Sequence, residues 1–200
     1  MDNDLKDQKK ESSTEETKEQ TSLDKAKANL KEALSWLLML IIVIAVSYFI
    51  TNHLILKAEI PTGSMKNTIM EHDRVIGWRQ FKKVERGDIV IFPALEYAGE
   101  DCLYVKRVIG LPGETLEIHD GAVYIDGKVL KETYLPEDMK YEFGPYNVPE
   151  GCYFLLGDNR NFSGDARYWT KNKYVSEDDI LAKVIFKYSP SWELMKKPEY

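Results

Sequence analysis

The chain has 200 residues, a formal net charge of −6 and 44% hydrophobic residues. This length suits one modest domain with additional segments and excludes two large domains. The acidic balance argues against nucleic acid as a partner, because a basic stripe is expected in such proteins. The two cysteines, Cys102 and Cys152, are too few for a disulfide scaffold and have no His or Cys at ligand spacing, so no metal or cofactor is indicated. Whether the two thiols pair stays open at this point.

Residues 1–31 are predicted to form a disordered cytoplasmic tail. They are rich in Glu, Lys, Asp, Ser, Thr and Gln and contain no aromatic residue. Such a segment buries too little apolar surface to offset its conformational entropy. Its last residues, 25–31, are candidates for extending the helix that follows.

Residues 32–56 are predicted to form a transmembrane anchor. No Asp, Glu, Lys or Arg occurs in 33–56, and about 20 such residues cross a hydrocarbon core of roughly 30 Å. Trp36, Tyr48 and Phe49 suit the two interfaces. A buried core helix or a cleaved signal peptide is less consistent with this length.

The orientation of the anchor follows from the lysines that flank it. Lys25, Lys27 and Lys31 precede the span, whereas only Lys57 follows it closely. The positive-inside rule therefore places the N-terminus in the cytoplasm. We expect a single-pass protein of the cell membrane whose residues 57–200 form a catalytic domain on the outer face.

The remainder of the chain is predicted to be mainly β. Apolar and aromatic runs indicate strands, and the Asp-Gly pairs at 120–121 and 126–127 are strong hairpin signals. A helical turn is expected at 176–180, with Ser176 as its cap. The predicted strands are 74–81, 89–92, 103–109, 115–119, 122–125, 128–130, 152–156 and 181–188.

The segment Ile60–Met65 contains a candidate nucleophile. Pro61 and Gly63 impose an irregular backbone around the hydroxyls of Thr62 and Ser64. Turn serines are common, so this segment alone is a weak signal. A serine becomes a nucleophile only when a base activates it.

Lys106 is the candidate base. The three histidines, His53, His72 and His119, lie in settings typical of solvated side chains. Lysine is a known alternative base for serine, and Lys106 lies within an apolar predicted strand. Burial would lower its pKa and raise its neutral fraction. An edge-strand lysine that protects against aggregation is an equally good interpretation of this residue.

A third cluster, residues 157–167, places small, polar and charged groups directly after an apolar strand. A solvated loop is one interpretation. The other is a charge network that positions catalytic groups, since paired charges of this kind are typical of functional sites and also of structural ones. The network would use Asp158, Asp165, Arg107 and Arg167.

Together these segments resemble the bacterial type I signal peptidases, membrane-bound serine proteases that release secreted proteins. The resemblance rests on four blocks in order after one membrane span: 60–68, 86–92, 104–113 and 157–169. It implies a two-part antiparallel β-sheet catalytic domain, similar to that of the self-cleaving repressors. It also implies a serine endopeptidase that cuts preproteins after small residues.

The resemblance assigns roles to individual residues. Ser64 would be the acylated nucleophile and Lys106 its base. The Ser64 N–H and the Thr62 hydroxyl would form the oxyanion hole, and Ser163 would hydrogen-bond the Lys106 amine. The supporting shell would comprise Asp165, Arg107, Arg167 and Asp158. The substrate pockets would be lined by Ile60, Pro61, Tyr104 and Val105.

Two positions depart from the family pattern. Asn67 replaces the usual proline, which predicts a looser turn after the nucleophile. Asn161-Phe162 replaces the more typical Asp-Asn. Neither departure touches the dyad.

The implied partners are the signal peptides of exported preproteins and the lipid bilayer, with the secretion translocon as a further candidate. We expect a monomer. Because a signal peptide keeps its apolar region in the bilayer, its protease needs a site close to the membrane. Ser64 follows the predicted anchor by about eight residues, a reach of at most ~29 Å.

Two alternatives to this function are disfavoured by the sequence. A self-cleaving repressor is disfavoured because an apolar span replaces its DNA-binding domain, and because Ala98-Gly99 follows Ser64 instead of preceding it. A non-catalytic, membrane-tethered binding or scaffold module is disfavoured by the presence of both Ser64 and Lys106.

Overall fold

The computed structural model describes Lys25, Lys27 and residues 29–200. It divides into two compact units at Ile50/Thr51. Most of the predicted disordered tail lies outside the described residues. The part of it that is described, Lys25, Lys27 and residues 29–31, is helical.

Helix α1 spans Asn29–Leu54, and its last turn, Ile50–Leu54, is π-helical. Among the described residues it is the one helix long and apolar enough to cross a bilayer. Residues 29–53 are all exposed, and a helix that is apolar on every side is typical of a membrane span. The helix ends two residues before the predicted anchor does, because Ile55 and Leu56 belong to the first strand.

Twelve strands follow in the described chain. In chain order they are β1 Ile55–Glu59, β2 Arg74–Trp78, β3 Ile89–Pro93, β4 Leu103–Gly110, β5 Thr115–His119, β6 Ala122–Ile125, β7 Lys128–Val129, β8 Phe143–Asn147, β9 Cys152–Leu156, β10 Val175–Ser176, β11 Ala182–Ser189 and β12 Glu193–Leu194. They form two antiparallel sheets, which confirms the predicted mainly β, two-part fold.

The large sheet has the order β1-β2-β11-β3-β4-β9-β10, with β12 paired to β11. Strand β1 pairs with β2, from Ile55 opposite Trp78 to Glu59 opposite Arg74. Strand β4 lies inside the sheet, between β3 and β9. The predicted turn near Ser176 is a short 3₁₀ helix, and the Ser176 side chain caps it by accepting from the Asp178 N–H.

The small sheet has the order β7-β6-β5-β8. Its two hairpin turns are those predicted from the Asp-Gly pairs, and all four turn residues have positive φ, between 49° and 75°. Strand β8 was not predicted, because Gly144 and Pro145 are rare in strands. It lies at the sheet edge, where proline is tolerated.

Two apolar clusters form the core. The larger one includes Ile109, Leu116 and Phe154, so it joins the two sheets. The smaller one includes Ile60, Met65, Ile69 and Ile91, and it lies under the turn that carries Ser64.

Candidate active site

The turn that carries Ser64 is a short 3₁₀ helix, Gly63–Met65. Met65 is fully buried and anchors the turn in the core, whereas Ser64 retains 9% of its exposure. The Ile69 N–H donates to the Met65 carbonyl over 2.8 Å. The hydroxyl of Ser64 is therefore held on a fixed backbone.

Lys106 lies in β4, next to Ser64 in space although 42 residues separate them in sequence. Its Nζ is 2.8 Å from Ser64 Oγ, and only 4% of the residue is exposed. The interpretation of Lys106 as an edge-strand lysine does not hold, because β4 is an interior strand.

The buried surroundings of Lys106 favour the neutral form of its amine. Burial lowers its pKa to about 8, although the charges of Asp165 and Asp158 oppose this change. At pH 7.4 a pKa of about 8 leaves roughly 20% of the amine neutral, against ~0.1% for a solvated lysine. A buried amine beside a serine hydroxyl can act as a base.

The structure places the Thr62 hydroxyl beside the nucleophile candidate. Thr62 Oγ1 lies 3.4 Å from Ser64 Oγ. This position is compatible with the oxyanion role that the family resemblance implies for Thr62.

Asp165 and Arg167 form a buried, bidentate ion pair. Arg167 Nε donates to Asp165 Oδ1 over 2.6 Å, and Nη2 donates to Oδ2 over 2.7 Å. Burial raises the pKa of Asp165 to about 6, and a hydrogen bond from the Gly157 N–H opposes that rise. The expected bond between Ser163 and Lys106 is not formed: Ser163 Oγ is buried without a partner at hydrogen-bond geometry within the described chain, and it lies near enough to Asp165 to lower the pKa of that carboxyl.

Arg107 and Asp158 form a second buried, bidentate pair. Arg107 Nε and Nη2 donate to the two Asp158 carboxylate oxygens over 2.8 and 2.6 Å. Thr68 Oγ1 donates to the same carboxylate over 2.5 Å. Because Thr68 follows the nucleophile turn and Arg107 follows Lys106, Asp158 links the two halves of the candidate dyad.

Two residues that the sequence did not single out lie directly against the nucleophile turn. Asn159 donates from its backbone N–H to the Ser64 carbonyl and from Nδ2 to the Gly63 carbonyl, both over 3.0 Å. A Cβ at Gly157 would lie 2.5 Å from the Ser64 carbonyl oxygen and 2.1 Å from Ser163 Oγ. The sequence feature that marks both residues is their position directly after an apolar strand.

A cleft of about 920 Å³ opens over these groups. It brings together Ser64 and Lys106 with the predicted substrate-contacting residues, and none of its described lining residues is a histidine. The predicted residues in its wall are Ile60, Pro61, Thr62, Tyr104 and Val105.

Residues 33–191 match the model of a family described as signal peptidase, peptidase S26. The chain belongs to this family. A probable signal peptidase I-2 of Synechocystis is 37% identical over 66% of this chain and 62% of its own length. Signal peptidase IB of Staphylococcus aureus is 30% identical over 80% of this chain and 91% of its own. A crystal structure of a signal peptidase I from Enterococcus faecalis aligns with a TM-score of 0.45 and 35% identity over 52% of this chain and 98% of that one.

The family resemblance drawn from the sequence is thus confirmed. Relatives at 30–37% identity over much of the chain support type I signal peptidase function. Family membership together with the apolar α1 fits a membrane-anchored peptidase.

The two departures from the family pattern have structural explanations. Asn67 has φ of +86°, which proline cannot adopt because its ring holds φ near −65°. Asn67 Nδ2 donates to the Tyr134 carbonyl over 2.6 Å, a bond that proline could not make and that opposes the looser turn expected at this position. Asn161 is anchored through the Asp138 carbonyl, whereas Phe162 is 76% exposed at the cleft.

Other candidate residues lie apart from this chemistry. Both cysteines are free thiols, which settles the pairing that the sequence left open. His119 contacts Asp120, and His72 lies near Glu59 at the surface.

Proposed function

We propose that this chain is a membrane-anchored serine endopeptidase that removes signal peptides from exported preproteins through a Ser64–Lys106 dyad. One observation carries the assignment of the dyad: Lys106 Nζ is buried and 2.8 Å from Ser64 Oγ, inside a cleft. The family of the chain supports the substrate class.

Acylation begins with neutral Lys106. Its amine takes the proton of Ser64 Oγ as Oγ attacks the scissile carbonyl, so that a tetrahedral intermediate forms. The Ser64 N–H and Thr62 Oγ1 donate to the developing oxyanion, which such donors stabilise more strongly than the ground-state carbonyl. The intermediate collapses when Lys106 returns the proton to the leaving amine. The mature protein leaves, and the signal peptide stays as an ester on Ser64.

Deacylation uses the same base. Lys106, again neutral, takes a proton from a water molecule as that water attacks the ester carbonyl. The second tetrahedral intermediate collapses with return of the proton to Ser64 Oγ, and the signal peptide leaves with a new carboxylate. Asp165 and Asp158 act on this cycle indirectly, because their charges limit how far the pKa of Lys106 falls.

Selection of small residues follows from the wall of the cleft. Val105 in β4 and Ile60, directly after β1, are almost fully buried. They therefore present a shallow apolar surface to the cleft. Large side chains would have to displace well-packed core atoms there. We therefore expect small side chains at the positions next to the scissile bond.

The membrane anchor brings the peptidase to its substrate. Ser64 follows the end of α1 at Leu54 by ten residues, a reach of at most ~36 Å. A signal peptide held in the bilayer presents its cleavage site at the membrane surface. We propose a single span with the N-terminus in the cytoplasm, as the flanking lysines indicate.

The dyad is tested by preprotein processing with the purified full-length chain in detergent. Ser64→Ala and Lys106→Ala should abolish processing, whereas the matched surface variants Ser191→Ala and Lys128→Ala should process at the wild-type rate. Wild-type activity in either dyad variant would overturn the assignment. A wild-type chain that binds but never cleaves a preprotein would instead indicate a scaffold module.

The proposed topology is tested separately in intact cells. External protease should spare the N-terminal segment and digest the catalytic domain. Digestion of the N-terminal segment would reverse the proposed orientation.

A further inference from the structure

The loop between β7 and β8, residues 130–142, contacts all three buried arginines near the candidate dyad. We call it the clamp loop. It belongs to the small sheet, whereas Ser64 and Lys106 are carried by the large sheet and its connections. Its contacts are with Arg107, Arg160, Arg167 and the neighbours of these residues.

The strongest contact is the ion pair between Glu132 and Arg160. Arg160 Nη1 and Nη2 donate to the two Glu132 carboxylate oxygens over 2.7 and 2.5 Å. The Arg160 side chain is 0% exposed and the Glu132 side chain is 3% exposed. The Tyr134 hydroxyl also donates to Glu132. A buried guanidinium without its carboxylate is strongly unfavourable, so Glu132 determines whether Arg160 can stay where it is.

Arg160 in turn holds the backbone that supports the nucleophile. Its Nε donates to the Gly157 carbonyl over 3.0 Å. Asn159, the residue before it, donates to the Ser64 and Gly63 carbonyls. The chain of contacts thus runs from Glu132 through Arg160 and Asn159 to Ser64.

Two tyrosines of the clamp loop cover the other arginines. The Tyr134 ring lies 4.2 Å from the Arg107 guanidinium carbon, and the Tyr141 ring lies 4.3 Å from that of Arg167. The Tyr134 carbonyl also accepts from Asn67, beyond the nucleophile turn. These contacts place the same loop against both ion pairs of the supporting shell.

We propose that Glu132 is a positioning residue, and that through Arg160 it makes the small sheet a support for the Ser64 turn. This inference rests on the proposed function. It predicts that loss of the pair changes the alignment of Ser64 and so lowers kcat, while the cleft that binds substrate stays intact. Misplacement of a reacting group by about 1 Å can cost roughly 10²-fold in rate.

The test uses full-length enzyme in detergent with a peptide that spans an Ala-x-Ala cleavage site. Glu132→Gln should lower kcat by about 10- to 100-fold with KM nearly unchanged. The matched control is Glu137→Gln in the same loop, because Glu137 pairs with Lys140 at the surface over 3.3 Å; its kinetics should equal those of the wild type.

A second variant separates positioning from stability. Replacement of a buried ion pair by apolar residues of similar volume is often neutral or stabilising. Glu132→Leu/Arg160→Met should therefore unfold at a temperature close to that of the wild type, yet keep the kcat defect, because the bond to the Gly157 carbonyl is lost. Restoration of wild-type kcat in this stable double variant would overturn the proposal.

If the double variant fails to fold, Arg160→Lys carries the same prediction. Lysine keeps the charge but cannot bond Glu132 bidentately and Gly157 together, so kcat should fall. Wild-type kcat in Arg160→Lys or Glu132→Gln would refute the positioning role. Ser64→Ala, measured alongside, distinguishes the failures: activity in that variant would refute the dyad instead.

Discussion

The cost of burying the charged form of the Lys106 amine yields a quantitative prediction about stability. Burial lowers the pKa of Lys106 from an ordinary value of 10.5 to about 8. The folded state therefore disfavours the charged amine, whereas the unfolded chain does not. Lys106→Met keeps an unbranched, apolar side chain of similar length and removes the amine. We expect this variant to be inactive and more stable than the wild type.

The magnitude follows from the two pKa values. Each factor of ten in protonation corresponds to 1.36 kcal/mol, so a fall from 10.5 to about 8 corresponds to about 3 kcal/mol. Below pH 8 the wild type bears this cost in full, because both states are protonated. Between pH 8 and 10.5 the unfolded chain binds more protons than the folded one, so wild-type stability rises with pH. The advantage of the variant should therefore shrink over this window.

The assay is urea unfolding of the full-length chain in detergent, followed by tryptophan fluorescence at pH 7 and pH 9.5. The matched control is Lys187→Met. Lys187 is also buried but is paired with Asp73 and Glu193, and hydrogen bonding to Glu193 raises its pKa. Its variant should be less stable than the wild type. A Lys106→Met variant that is destabilised at pH 7, or whose stability relative to the wild type is independent of pH, would refute the assignment of a buried, pKa-lowered amine.

Three further predictions follow from the site. The kcat/KM of the wild type should rise with pH to a plateau above about 8, since the neutral amine is the active form. A pH–rate profile that rises only near pH ~10.4, the ordinary lysine pKa, would contradict this. Gly157→Ala should lower kcat by about 10²-fold or more, because its Cβ would meet Ser163 Oγ and the Ser64 carbonyl. Gly164→Ala, whose Cβ would meet nothing within 4 Å but would face the cleft, should keep the wild-type kcat, with any change confined to KM. Asn67→Pro introduces the residue usual in the family, yet it should lower the free energy of unfolding by more than about 1 kcal/mol, because φ is +86° at this position. Unchanged urea unfolding would show that the turn adopts a different backbone conformation.

Strands with long apolar runs and the Asp-Gly hairpins were predictable, because both signals are local. Strand β1 was not, since its apolar start continues from α1 without a break and only pairing with β2 makes it a strand. Strands β10 and β12 have two residues each, too few for a periodic pattern.

The candidate dyad was predictable in its residues but not in its geometry. An apolar strand marked Lys106, and an irregular turn marked Ser64. Their contact depends on the antiparallel pairing of β3 with β4 and on the packing of Met65 in the core. Asn159 was marked only by its place after an apolar strand, and Glu132 was not marked at all, because their roles depend on loops that meet only after both sheets have formed.

The most direct test of the Ser64–Lys106 dyad is to trap the acyl-enzyme. The full-length chain is mixed with a signal-peptide substrate, quenched in acid, digested and analysed by mass spectrometry. The proposed dyad mechanism predicts an ester between the C-terminal residue of the signal peptide and Ser64, and no adduct in Lys106→Met. An adduct on another residue, or turnover by a Ser64→Ala chain, would contradict it.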